Sequence, residues 1–142
     1  MHSEILQPVV VLVGWTMVMW AYMVATRLPA MKAAGIDLSK VSGSKPGQLD
    51  AILPPKAQWP AHNYMHLMEQ PTVFYASALV LAVAGVGNGI NAWIAWAYVA
   101  LRIVHSIVQV TSNRISIRFV LFVLSSLTLI AQMLHAAIAV FH

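Results

Sequence analysis

Four long apolar runs alternate with polar connections along this chain. The runs cover residues 5–26, 62–86, 90–111 and 115–141. Each is close to the roughly 20 residues that an α-helix needs to cross about 30 Å of hydrocarbon. A cleaved signal peptide at the start would need basic residues before a shorter apolar core, and only Glu4 is charged there. The pattern predicts an all-α fold, a single four-helix membrane domain over residues 1–142.

The connections between the runs carry most of the charge. Segment 27–61 holds Arg27, Lys32, Lys40, Lys45 and Lys56, whereas residues 87–89 form an uncharged Gly-Asn-Gly turn. The third connection holds Arg114, and Arg118 lies just beyond it. Four spans put the first and third connections on one side of the membrane. Because basic residues favour the cytoplasmic side, we expect loop 27–61 to be cytoplasmic and both termini to be non-cytoplasmic.

Composition narrows the classes of function. Hydrophobic residues make up 60% of the chain and charged residues 8%, against roughly 25% charged residues in a soluble domain. The absence of cysteine excludes disulfides, thiolate metal sites and cysteine nucleophiles. The net charge of +4 reflects membrane topology rather than nucleic-acid binding, because the basic residues lie in connections without interleaved aromatic residues.

Two residues of opposite charge lie inside apolar runs, Glu69 in the second and Arg102 in the third. A charge in hydrocarbon costs several kcal/mol, so it usually faces a partner or a water-filled cavity and marks a functional site. Their predicted depths match, at roughly 10 Å and 13 Å from the inner ends of their helices, for a rise of ~1.5 Å per residue. We expect them to form an ion pair, either within a ligand pocket or as an inert contact between helices.

Further polar residues share the helical faces of these two charges. His62 and His66 lie on the face of Glu69, and His105 and Gln109 lie on the face of Arg102. These residues and the basic residues at the helix ends predict one polar cluster in the inner half of the bundle. A zinc site is the weaker interpretation, because only Glu69 lies near the histidine pair as a third ligand.

Three smaller features complete the pattern. Pro71 removes a backbone donor and frees the carbonyl near Leu67, which loosens the second helix one turn from the embedded acid. Gln132 and His135 lie in the outer half of the last run, away from the polar cluster, and we expect them to make polar contacts between helices. The tryptophans, Trp15 among them, are expected at the membrane interface or in packing.

Two motifs resemble the MAPEG family, membrane-associated proteins in eicosanoid and glutathione metabolism. They are His62-Asn63-Tyr64-Met65-His66-Leu67-Met68-Glu69 in the second run and Arg102-Ile-Val-His105 in the third. With the four spans and the long first loop, the resemblance covers nearly the whole chain. It is strongest to a bacterial-type member of the microsomal glutathione transferase and prostaglandin E synthase kind. It implies a homotrimer that holds glutathione between neighbouring subunits near the cytoplasmic face.

The resemblance also implies roles for single residues. Arg118 matches the arginine that stabilises the glutathione thiolate in catalytic members, and is the implied catalytic residue. Glutathione would be held by a larger set: Arg27, His62, Asn63, His66, Glu69, Arg102, His105, Gln109 and Arg114. No metal is implied.

The chain also departs from the family pattern. Members that use glutathione usually carry Arg-x-x-Arg-Asn-x-x-Glu before the second span, where this chain has His62, Met65 and His66. A family tyrosine is Gln109 here, and a serine is Phe119. Three functions stay open. The first is a glutathione-dependent transferase or peroxidase acting on lipophilic electrophiles, and the second is a non-catalytic protein that binds lipids or a partner and has lost glutathione use. The third is a purely structural bundle, stabilised by its ion pair, that binds no ligand.

Overall fold

The computed structural model describes residues 2–142, and their regular structure is helical throughout. The α-helices are α1 (Leu6–Ala33), α2 (Pro55–Glu69), α3 (Pro71–Val83), α4 (Ile90–Val110) and α5 (Ile115–Phe141), with a short 3₁₀ helix at Gln48–Ala51. The predicted all-α fold is confirmed. Within the described residues, three helices are long and apolar enough to cross a membrane, namely α1, α4 and α5. The chain is an integral membrane protein.

The second predicted run is divided into α2 and α3 at Gln70. Gln70 keeps helical dihedral angles, with φ −58° and ψ −38°, but Pro71 has no N–H group to donate to the preceding turn. Other local bonds form at this position. The Thr72 hydroxyl donates to the Glu69 carbonyl at 2.8 Å, and the Val73 N–H donates to the Gln70 carbonyl at 3.0 Å. The helix, which was predicted to be loosened at Pro71, is thus divided beside Glu69.

The first connection is shorter than the predicted loop 27–61. Helix α1 continues through Arg27 to Ala33, and α2 begins at Pro55, so the connection covers residues 34–54. Polar residues such as Arg and Lys are good helix formers, so loss of hydrophobicity does not end a helix. The helix ends at Ala33, two residues before Gly35, which has φ +74°. The Gly35 and Ile36 N–H groups donate to the Lys32 and Met31 carbonyls, which is a Schellman motif.

The core contains buried apolar residues from all five α-helices, among them Leu12, Phe74 and Tyr98. Phe74 and Tyr98 are fully buried, and their rings stack with centroids 4.6 Å apart. Gln132 donates to the Ser77 hydroxyl at 2.8 Å, and His135 is hydrogen-bonded to Asn91, which confirms both as polar contacts between helices. Large apolar side chains cover the outer surface of α5. In a bilayer they face lipid tails or another subunit at no hydrophobic cost.

The start of the chain is tied to the connection between α3 and α4. The Glu4 N–H donates to Asn88 Oδ1 at 2.8 Å, and the Gly89 N–H donates to Glu4 Oε2 at 3.0 Å. The Ile5 N–H also donates to the Gly87 carbonyl at 2.9 Å. A Cβ at Gly87 would lie 2.6 Å from Ile5 Cγ2, so this close approach requires glycine. These contacts fix the position of the Glu4 carboxylate at the start of α4.

Candidate functional site

The predicted Glu69–Arg102 ion pair is wrong for the single chain. Arg102 is 1% exposed, and its Nη2 donates to the His66 carbonyl at 3.1 Å. The Glu69 side chain is 68% exposed at the end of α2, and its Oε2 lies 3.6 Å from His66 Nδ1. Helical spacing predicts the depth of the two charged residues along their helices, but it does not predict the direction in which each side chain points. Arg102 reaches the backbone of α2, while the Glu69 carboxylate projects outward.

Arg102 lacks partners for much of its hydrogen-bonding capacity. Among residues 2–142, its buried Nε and Nη1 atoms have no hydrogen-bond partner. A buried charge is normally paired, because removing it from water without compensation costs several kcal/mol. The guanidinium therefore has donors left over for an anion or another acceptor.

Arg118 approaches the same cluster from the first turns of α5. Its Nη1 donates to Asn113 Oδ1 at 2.7 Å, and its Nη2 lies 3.5 Å from His66 Nε2. Its Nε is buried without a partner among the described residues. The His66 ring lies edge-on to His105, with centroids 5.8 Å apart. Three helices, α2, α4 and α5, thus bring together His66, Arg102, His105 and Arg118, hereafter the inner cluster.

A polar joint connects α1, α2 and α4 beside the inner cluster. The Ser106 hydroxyl accepts hydrogen bonds from Asn63 Nδ2 at 2.6 Å and from Trp15 Nε1 at 3.0 Å. Asn63 and Gln109 are 1% and 2% exposed, and the side-chain oxygen of each has no partner among the described residues. Trp15 is therefore a hydrogen-bond donor in this joint and not only an interface or packing residue. Sequence reasoning did not single out Ser106, although it directly follows His105.

The other predicted site residues lie apart from the inner cluster. His62 Nε2 lies 3.3 Å from Asp50 Oδ1, so this side chain is engaged with the connecting segment. Arg114 is exposed at the start of α5, and its carbonyl accepts a hydrogen bond from the Arg118 N–H at 3.0 Å. Arg27 is half-buried on α1, six residues before that helix ends.

Gln70 secures the helix break above the inner cluster. Its Oε1 accepts a hydrogen bond from the Tyr98 hydroxyl at 3.2 Å, and its Nε2 donates to the Ser126 hydroxyl at 2.8 Å. Tyr98 lies one turn of α4 from Arg102. The break between α2 and α3 is thus fixed to α4 and α5, which positions the His66 carbonyl and Glu69. The sequence predicted a loosened helix at Pro71 but neither the division into two helices nor the residue that fixes it.

Comparison with known proteins identifies the family of this chain. The model of the MAPEG family matches residues 5–138. No curated protein and no solved structure matches. The match covers all five α-helices except the last residues of α5, and it includes the whole inner cluster. The chain therefore belongs to the MAPEG family.

Proposed function

We propose that this protein is a membrane enzyme that uses glutathione to attack or reduce lipophilic electrophiles. Membership of the MAPEG family suggests, more broadly, a membrane function in glutathione or eicosanoid metabolism. The transferase or peroxidase activity, the resemblance to microsomal glutathione transferases and prostaglandin E synthases, and the roles of single residues belong to the proposal.

One observation carries the proposal: buried polar atoms without partners are concentrated around the inner cluster. Arg102 Nε and Nη1 and Arg118 Nε are donors, while Asn63 Oδ1 and Gln109 Oε1 are acceptors, and none has a partner among residues 2–142. Glutathione carries two carboxylates, an ammonium group, two amides and a thiol. Its functional groups match both the cationic donors and the neutral acceptors, so the residues present fit this ligand.

Bound glutathione supplies a sulfur nucleophile. A fixed cation favours the anionic form of a neighbouring thiol and lowers its pKa, and Arg118 is suited to this role because Asn113 holds its guanidinium. Arg102 and His105 orient the peptide from α4. The exposed Glu69 carboxylate is free to contact the ligand from α2. A lipophilic substrate would enter from the bilayer beside Phe119, which is 66% exposed on α5.

The proposal includes a homotrimer with the first connection in the cytoplasm. The family pattern implies a site between subunits. The exposure of Glu69 and the unpartnered atoms of Arg102 agree with a site that a neighbouring subunit helps to close. The basic residues of the first and third connections favour the cytoplasmic side, which leaves both termini outside.

The proposal is tested by binding and turnover together. Glutathione is titrated into the detergent-purified protein while its melting temperature is followed, and conjugation of a lipophilic aryl halide is then measured. Wild type should be stabilised saturably and should form the conjugate. Arg118→Ala should lose conjugation, whereas Lys40→Ala, a charge loss on the exposed connection, should retain it. Conjugation that is unchanged in Arg118→Ala would reject the assigned role of Arg118.

A second candidate is a non-catalytic lipid-binding or partner-binding protein. It is favoured by the replacement of a family tyrosine with the buried Gln109 and by Met65, which is 51% exposed where the family has an arginine. These changes replace a phenol with an amide and remove one cationic group from the family pattern. This function predicts lipid that co-purifies with the protein and no change in melting temperature on adding glutathione.

A further inference from the structure

A cavity of about 610 Å³ lies where α1 and α4 begin, at the opposite end of α4 from the inner cluster. It is lined by Glu4, Gln7, Ala92, Trp93, Trp96 and Ala100. Its volume is within the range of about 300–1,000 Å³ that is usual for small-ligand sites. The proposed glutathione chemistry uses none of these residues. We propose that this cavity binds a phospholipid with a primary ammonium headgroup, that is, an ethanolamine phospholipid.

The lining of the cavity changes from polar to apolar along α4. Trp93, Trp96 and Ala100 have the spacing i, i+3 and i+7, which places them on one helical face. Trp93 lies about 4.5 Å from the first residue of α4 and Ala100 about 15 Å, at ~1.5 Å per residue. Tryptophan near the end of a spanning helix lies at the level of lipid headgroups. The face therefore offers a site for a headgroup at the helix end and an apolar path for an acyl chain.

The charge of the cavity selects the headgroup. Its lining contains one acid, Glu4, and no Lys or Arg. The Gly89 N–H and the Asn88 side chain hold Glu4 in place, and each carboxylate oxygen can accept more than one hydrogen bond. Indole faces attract cations as well, and Trp93 is 73% exposed at this position. A cationic group is thus favoured, and lipids with a net negative headgroup are disfavoured.

The hydrogen-bond acceptors distinguish ethanolamine from choline. The Glu4 carboxylate and the Gln7 amide oxygen both accept hydrogen bonds, and both residues are exposed to the cavity. A primary ammonium has three N–H donors for them, whereas a quaternary ammonium has none. The indole N–H groups and the Gln7 amide N–H groups are donors suited to the adjoining phosphate. The zwitterionic ethanolamine headgroup matches this set on both sides.

Native mass spectrometry of the detergent-purified protein tests the site. The protein is mixed with equimolar ethanolamine, choline and glycerol phospholipids of the same acyl chains, and bound lipid is counted per oligomer. We expect the ethanolamine lipid to be retained most. Equal retention of the three headgroups, or preference for the anionic glycerol lipid, would overturn the proposal.

Variants link this preference to the cavity. Glu4→Gln keeps an oxygen that can accept from the Gly89 N–H, so the fold is retained while the charge is lost. It should reduce ethanolamine-lipid retention, and the exposed Trp93→Ala should reduce it roughly two- to fivefold, as expected for loss of a cation–π contact. Trp20→Ala, which removes an exposed indole elsewhere on α1, should leave it unchanged. A change in subunit number with Trp93→Ala, at unchanged lipid retention, would instead identify a subunit interface and contradict the proposal.

Discussion

Replacing Arg102 with methionine tests whether this cation binds a ligand or only stabilises the contact between helices. Methionine is apolar and of comparable length, so the substitution removes the charge without leaving a large cavity. The lost bond to the His66 carbonyl contributes about 1.5–3 kcal/mol, as bonds to charged groups do. The variant also removes two buried donors, Nε and Nη1, that have no partner among the described residues, and each such donor costs about 1–3 kcal/mol.

These opposing effects predict that, without glutathione, the free energy of unfolding of Arg102→Met is no more than about 1 kcal/mol below that of wild type. With glutathione at 100 times its Kd, wild type should gain about 2.7 kcal/mol, and the variant should gain much less. The assay is chemical or thermal unfolding in detergent with and without glutathione, with Lys40→Met as the control for loss of a surface charge. If Arg102 instead belonged to a buried ion pair, its removal would cost about 3–5 kcal/mol without any ligand. A loss of that size would refute the reasoning.

Further substitutions test the surrounding structure. Gln70→Leu should lower the free energy of unfolding by about 1–3 kcal/mol, because it removes the hydrogen bonds to α4 and α5 at the helix break; thermal melting measures this. Gly87→Ala should destabilise the protein through its close approach to the start of the chain, whereas Gly14→Ala, with open space around it, should be neutral or slightly stabilising in the same assay. Hydrogen bonds from Ser39 lower the pKa of Asp37 in the exposed first connection. The ionised Asp37 carboxylate therefore contributes to folding stability at neutral pH, and this contribution is lost as the pH falls through the lowered pKa. An NMR titration of Asp37 should therefore give a midpoint below 3.8 that rises in Ser39→Ala.

The membrane fold could be predicted from sequence because it depends mainly on the length of apolar runs. The ends of the helices were harder to predict. Arg27 and Lys32 interrupt the apolar pattern but still favour helix, so α1 continues to Ala33, just before Gly35, which adopts a left-handed conformation. Hydrophobicity marks what lies in the bilayer, whereas backbone geometry decides where the helix stops.

The sequence predicted which residues form the candidate site better than it predicted the contacts between them. Helical periodicity placed His66 and Glu69 on one face and Arg102 and His105 on another, and four of the predicted residues do meet in the inner cluster. Periodicity says nothing about how one helix is rotated toward its neighbour. The Arg102 guanidinium therefore binds a backbone carbonyl of α2 instead of the Glu69 side chain. Ser106 could not be predicted as a site residue because a hydroxyl within a helix commonly donates only to a backbone carbonyl of the same helix.

The central claim is that the inner cluster binds glutathione and favours its thiolate. The most direct measurement is the ultraviolet absorbance of the thiolate when the purified protein is mixed with glutathione at neutral pH. Our account predicts a saturable thiolate signal in wild type and in Lys40→Ala, and its loss in Arg118→Ala. A wild-type protein that shows no thiolate signal at any glutathione concentration would contradict the account.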